Sequence, residues 1–556
     1  MNAAMLMLSS IVYFALAYVF YGNYLKRVFG VDDKRPCPSK EFADGADYVA
    51  TPAQVLFGHH FASIAGAGPI VGPILAAKFG WLPALLWVCI GCVFVGAMHD
   101  FAALFLSVRN QGRSIAYVVE KELGYIGRQL FLFFCFAMLV LVVAIFAILV
   151  ADSFMAVPAV ATSSMLFIFM APMFGIALDR KILNLAEGTL VFVPLLFLSV
   201  WIGTVFPLDL VSLCGGTVNV RLVWILVLFY YCFCASVLPV WVLLQPRDYL
   251  NSFLLYAMVA LGLLGVFVAR PTMVLPAYSG DAGFIPGIFP LLFVTVACGA
   301  CSGFHAMVAS GTSSKQVAKE SHMLPISYGG MLIEGLLAVL VLCSISYFGM
   351  DQLRAMFAAQ EAPQLVFANA LGHLCESLHI PFEIARNFVA LAISAFIMTS
   401  LDTATRLGRF VWQELVLPEQ NPGEKKATPP QGAVRNFLGN RWIATAIIVL
   451  FAAVMAFSGS AQQIWPVFGA SNQLLAALTL LTVTLFLYRK KKPVLFALLP
   501  FLFMLFISIW ALLILLKQQW GQSTFLVLIS IVLLLLALML CFLGGKRLLQ
   551  KNKKKS

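Results

Sequence analysis

Apolar stretches of about 20 residues recur along the whole chain, and a run of that length is what a helix needs to cross a hydrocarbon layer roughly 30 Å thick. Fifteen candidate spans can be marked, near 3–25, 55–77, 81–106, 130–151, 163–178, 187–206, 221–244, 252–269, 287–310, 326–349, 383–401, 442–458, 466–488, 493–516 and 522–543. In a chain of 556 residues they leave short loops and no room for a large soluble domain. Composition agrees, since only 11% of residues are charged against roughly a quarter in ordinary soluble domains. The chain therefore reads as an all-α polytopic membrane protein. Soluble enzymes, DNA-binding modules and disulfide scaffolds are excluded.

A net charge of +12 could suggest nucleic acid, but the positions of the charges decide otherwise. With the N-terminus outside, the loops starting at Lys26, Ser107, Asp179, Gln245, Gly311, Asp402, Arg489 and Gly544 all fall on the cytoplasmic side. They hold 30 of the 36 Lys and Arg residues. That asymmetry is the positive-inside rule, so the charge encodes orientation and attraction to anionic lipid. A cytoplasmic C-terminus follows from the tail GGKRLLQKNKKKS. Most of the 12 cysteines sit inside apolar spans as small hydrophobes, and no disulfide framework is implied. The first segment lacks an A-x-A cleavage site and is expected to be a retained helix.

Most spans are bland, the last two purely so, as lipid-facing helices are. Three are not. The second reads FGHHFASIAGAGPIVGPILAA, the ninth GIFPLLFVTVACGACSGFHAMVASGTSSK, and the thirteenth opens IWPVFGASNQLLAAL. Glycine and proline weaken a helix inside a membrane, where freed backbone groups need protein, water or ligand as partners. Broken helices therefore belong beside a cavity. Spans 2 and 9 run in opposite directions, the relation expected of the leading helices of two inverted repeats around a midplane site. The expected division is an accessory helix and cytoplasmic entry loop (1–54), a first five-helix repeat (55–206), accessory helices (207–286), a second repeat (287–488), and a C-terminal hairpin with a basic tail (489–556). Close packing by small residues is the alternative use of the same glycines. A short external amphipathic helix is expected over 363–378.

Ionisable groups inside a membrane are costly, and histidine exchanges protons near neutral pH. His59 and His60 precede the small-residue run of span 2, and His305 follows Cys298 and Cys301 on one helical face. Substrate contacts are expected from His59, His60, Ser63, Gly66, Gly68, Ser302, His305, Asn472 and Gln473. Proton coupling is expected from His59, His60, Glu334, Asp100 and Asp402. Each has a plainer reading: Glu334 can bond a neighbouring helix, and Asp402 can cap span 11 or begin the next loop. A Cys-x2-Cys-x3-His metal site at 298–305 lacks a fourth ligand, so no metal is assigned, and nothing in the sequence calls for a cofactor. Signatures of a nucleophile elbow, a P-loop and a zinc protease are absent. An ion gradient is left as the energy source.

At these same residues the sequence resembles the carbon starvation protein A family of bacterial inner-membrane transporters. The matching strings are VDDKRPCP, GADYVAT, FGHHFASIAGAGPIVGPILAAKFGWLP, MHDFAALFLSVRNQGRSI, CGACSGFHAMVASGTSSK followed by Lys319 and Glu320, SLDTATRLGRF and WPVFGASNQLLAAL. The resemblance implies uptake of peptides or pyruvate during carbon starvation, driven by protons, on a fold similar to the amino acid/polyamine/organocation superfamily. Well-known members are longer, which leaves the substrate open. Partners are thus a small-molecule substrate, a coupling ion and the bilayer, with no nucleic acid and an open oligomeric state. A passive channel and a membrane-embedded nutrient sensor are the alternatives; paired broken helices argue against a simple pore, and no output domain is visible.

Overall fold

The computed structural model describes residues 2–44, 48–215, 219–239, 241–280, 284–359, 361–417, 433–458 and 461–553. Its long helices are α1 (Ala3–Phe29), α4 (Trp81–Val108), α5 (Ile115–Ala156), α6 (Pro158–Asp179), α7 (Leu185–Val205), α8 (Val220–Val237), α9 (Leu244–Ala269), α12 (Glu320–Ile345), α14 (Phe382–Val416), α15 (Arg441–Ser458), α16 (Gln463–Arg489), α17 (Leu495–Gln519) and α18 (Thr524–Arg547). All 13 are long and apolar enough to cross a membrane. The second span is a bent pair, α2 (Ala53–Ile64) and α3 (Gly68–Phe79), whose halves meet at 42°. The ninth is also in pieces, α10 (Gly287–Val296) and α11 (Gly303–Gly311), joined through 297–302. Both breaks fall where the sequence places its small-residue runs. Span 13, in contrast, is the continuous α16. Its Pro466, in the second turn of a helix that begins at Ala461, removes one intrahelical hydrogen bond without breaking the helix.

Burial separates the helices as the bland spans suggest. In α16, 94% of the apolar window is buried inside the protein, whereas in α18 only 28% is. Helices α5 and α14 pack along each other at the centre. Against that pair, α9 packs on α2 and α14, while α16 packs on α11 and α5; likewise α6 contacts α5 and α14, and α15 contacts α14 and α5. Helix α7 leans mainly on α6, outside this pattern. The two broken spans touch at their glycines: a Cβ on Gly68 would strike Cys298, and one on Gly72 would strike the Val296 carbonyl. Because that carbonyl is backbone and cannot turn aside, Gly72→Ala should lower the thermal unfolding midpoint in detergent, with a cost of about 1–3 kcal/mol. An unchanged midpoint would show that the spans are less tightly apposed.

Three helices start or end away from the expected boundaries. Helix α5 begins at Ile115, and its backbone leaves the helical region at Gly124 (φ 83°). Helix α9 begins at Leu244, eight positions before the expected span, and α14 runs on to Val416. Asp402 is thus neither a cap nor the start of a loop; it is a fully buried residue inside α14. The charges that end a hydropathy window at these places are paired with one another, so the helix continues through them.

The end carrying the loops after α1, α4 and α11 is strapped together. Arg109 meets both oxygens of Glu320 at 2.6 and 2.8 Å, and the Asp32 amide donates to the same carboxylate at 2.8 Å. The Ser321 amide donates to Asp33 at 2.7 Å, Ser39 Oγ to the Val317 carbonyl at 2.6 Å, and the Thr51 amide to the Gln316 carbonyl at 3.0 Å. Slight burial opposes ionisation of Asp33, but the hydrogen bonds from Ser321 and the nearby Lys26 and Lys319 hold its carboxyl below the usual range. This is the work of VDDKRPCP and of Glu320: they tie the entry of α2 to the exit of α11. Glu320→Ala removes a charged acceptor from two donors and should cost about 2 kcal/mol. A detergent unfolding series that finds no loss would show the strap to be dispensable.

At the opposite end a helix over the expected stretch, α13 (Pro363–Glu376), packs on α3, α9, α12 and α14. Its Gln364 donates to the Leu149 carbonyl (3.0 Å) and to Ser153 Oγ (3.1 Å), near the far end of α5. Most of this helix is buried, so it forms a cover and not a surface appendage.

Candidate functional site

Two ionic clusters lie beside the breaks. In the first, Asp100 of α4 is held between two imidazoles, with His99 Nδ1 and His305 Nδ1 each 2.8 Å from one of its oxygens. The other ring nitrogen of His305 is 3.5 Å from Glu334 of α12. All four side chains are fully buried. Among the described residues neither oxygen of Glu334 has a hydrogen-bond partner, so His305 is its nearest polar contact. One turn before Glu334, Gly330 leaves room for the His60 ring, whose Nδ1 is 2.7 Å from Ser313 Oγ. Thus α4 brings two members and α11, α12 and α2 one each to a water-poor place, where a lone charge would be too costly to keep.

The second cluster centres on Arg247 of α9. Its guanidinium meets Asp402 of α14, with Nη2 3.0 Å from Oδ1 and Nη1 against Oδ2, and its Nη2 also donates to Asp248 at 2.8 Å. Tyr231 of α8 donates to Asp402 at 2.8 Å. Asp248 in turn is 3.1 Å from His59 Nδ1. His59 and His60 are neighbours in sequence but, about 100° apart on a helix, they face different clusters. One cation thus lies between two carboxylates, and His59 meets the second of them.

The remaining expected residues serve the breaks themselves. Ser63 Oγ donates to the His59 carbonyl (2.8 Å), while its own carbonyl accepts from Ser400 Oγ (3.3 Å). A Cβ on Gly66 would run into that same Ser400. Asn472 accepts from the Phe304 amide at 2.9 Å and bonds Ser302 Oγ at 3.0 Å, which caps the start of α11. Gln473 donates to the Phe293 carbonyl, leaving its amide oxygen without a partner among the described residues. Cys298 lies 3.3 Å from the Asn472 amide and 3.5 Å from Ser302 Oγ, and His305 Nδ1 is taken by Asp100. Among the described residues no group of three or more His, Cys, Asp or Glu is arranged to hold a metal.

Sequence reasoning passed over Arg247, Asp248 and Tyr231. The signal was present: an adjacent Arg and Asp abutting an apolar run can be a buried pair as readily as a loop.

A cavity of about 470 Å³ opens at the strapped end, lined by Arg113, Tyr117, Ser310, Lys315, Leu407 and Phe410 among others. Leu407 and Phe410 also line a void of about 20 Å³ that reaches His59 and Asp248, room for about one water.

The model of the carbon starvation protein CstA family matches residues 2–364 and 353–511. The chain is 34% identical to the peptide transporter CstA of Escherichia coli (strain K12), covering 94% of this chain and 81% of that protein. It is also 34% identical to the peptide transporter CstA of Bacillus subtilis (strain 168), covering 90% and 88%. To the pyruvate/proton symporter BtsT of Escherichia coli (strain K12) it is 31% identical, over 92% and 81%. Among solved structures, the manganese transporter of Eremococcus coleocola has a similar fold, with a TM-score of 0.50 at 11% identity over 92% of this chain and 99% of that one. A helical transporter architecture and close relatives over nearly the whole length lead to one conclusion: the chain belongs to the carbon starvation protein CstA family.

Proposed function

We propose that this protein takes up small carboxylate nutrients, peptides or pyruvate, by proton-coupled alternating access across the bacterial inner membrane, its N-terminus outside and C-terminus cytoplasmic. The observation that carries the reading is His305 held between Asp100 and Glu334 at the break of α10 and α11. A proton arriving there can rest on the imidazole or on either carboxylate, and each arrangement changes how α4, α11 and α12 attract one another. Asp100, His305 and Glu334 are the coupling groups. His60 lies beside them, and His59 with Asp248 and Asp402 forms the release side, next to the vestibule. The peptide transporters and the proton symporter among the relatives support both the substrate class and the coupling ion.

The inverted repeat is assigned with one change. The contact pattern around α5 and α14 supports α2–α3, α4, α5, α6 and α9 as the first five-helix unit, against α10–α11, α12, α14, α15 and α16. Leu244–Ala269 then takes the fifth place expected of 187–206, and α7 with α8 is an inserted hairpin. Between the two breaks, His59, His60, Ser63, Gly66, Gly68, Ser302, His305, Asn472 and Gln473 shape the substrate cavity. Ser63, Gly68 and Asn472 act through the backbone they position.

The test is uptake into proteoliposomes of a dipeptide or of pyruvate, with and without an inward proton gradient. Uptake that saturates, exchanges in counterflow and rises with the gradient is expected. In His59→Ala and His305→Ala the gradient-driven part should vanish while the protein stays folded; full transport by both variants would refute the site. Flux that neither saturates nor exchanges would indicate a channel, and binding with no flux a sensor.

A further inference from the structure

A second cavity opens at the kink of α5. There Gly124, Tyr125 and Ile126 face Leu543, Lys546 and Arg547 of α18 across a cavity of about 420 Å³. The Arg547 guanidinium reaches over Gly124, within 3.0 Å of where a Cβ would stand. Just before the kink, Glu122 is bound to Arg489 at the end of α16, 2.9 Å away. Among the described residues, Lys546 and Arg547 have no acidic partner.

The walls have two characters. Tyr125 and Ile126 are 61% and 64% exposed and form an apolar wall beside the two cations. The helix that restarts after Gly124 directs the positive end of its dipole toward the same space. Lys490, Lys491 and Lys492 follow on the neighbouring helix end, and the sequence continues beyond Arg547 with four more lysines, at 551, 553, 554 and 555. An exposed apolar wall beside two cations that have no acidic partner among the described residues has the chemistry that takes an anionic phospholipid and not a zwitterionic one.

We infer that this pocket holds the headgroup phosphate of an anionic phospholipid, clamped by Lys546 and Arg547 with its acyl chain along Tyr125 and Ile126. Such a lipid would pin α18 to the kink of α5, a helix at the centre of the bundle.

The test uses the full chain in detergent, with phosphatidylglycerol, phosphatidylcholine or inorganic phosphate added, and reads retained lipid by native mass spectrometry together with the unfolding midpoint. Phosphatidylglycerol should be retained and should raise the midpoint; Lys546→Ala with Arg547→Ala should weaken retention roughly 30-fold, taking about 1 kcal/mol for each charge near the surface. The charge-preserving pair Lys546→Arg with Arg547→Lys should restore it. Equal retention by wild type and the double alanine variant overturns the site. Equal retention of phosphatidylcholine overturns the requirement for charge, and stabilisation by phosphate alone assigns the pocket to a soluble anion instead.

Discussion

Glu334→Gln is expected to abolish accumulation of substrate against its gradient while leaving counterflow exchange intact. Glutamine keeps the shape of the side chain but cannot take up and release a proton. An inward gradient of about two pH units is worth about 2.7 kcal/mol per proton and sustains about 100-fold accumulation at one proton per substrate. The variant should therefore equilibrate near a ratio of one. Because Glu334 makes no hydrogen bond among the described residues, its replacement leaves no strong partner stranded. A folding defect is not expected, and exchange provides the control. Accumulation at the wild-type level would remove Glu334 from the coupling path.

Arg247→Met should have the largest structural effect in the molecule. Arg247 is fully buried between Asp402 and Asp248, and without it Asp402 keeps only the Tyr231 hydroxyl and Asp248 only His59 among the contacts described above. Breaking a buried pair by removing one partner costs about 3–5 kcal/mol, whereas replacing both partners by neutral groups can be nearly free. The single variant should fail to reach wild-type levels in the membrane and should unfold early in detergent. Adding Asp402→Asn should recover most of that loss. If Arg247→Met alone is as stable as wild type, the cluster is not the junction of α8, α9 and α14 that its geometry implies.

The membrane class and the two broken helices were legible because they depend on local composition, which hydropathy reads directly; the expected fifteen spans exceed the 13 helices, or 14 with the bent pair, that are long and apolar enough to cross. His305, Glu334 and Asp100 were legible for a related reason: an ionisable residue within an apolar run stands out. Their partnership was not, since Asp100 and Glu334 come from helices distant in sequence. Arg247, Asp248 and Asp402 were misplaced because a hydropathy window treats charge as a boundary. When opposite charges on two helices neutralise each other, both helices continue, and only the pairing reveals it. His59 and His60 pose a similar problem. Adjacent in sequence, they suggest one site, but the turn of the helix sends them to two. The choice between 187–206 and 244–269 as the fifth helix of the first repeat likewise depends on packing that no span-by-span reading contains.

The central claim is that protons cross with substrate through the Asp100, His305 and Glu334 cluster. Proteoliposomes loaded with a pH-sensitive dye and given dipeptide or pyruvate outside test it most directly. Wild-type protein should acidify the lumen when substrate is added, while Asp100→Asn and Glu334→Gln should give none of that acidification yet still exchange labelled substrate. Acidification of normal size in both variants would contradict the account.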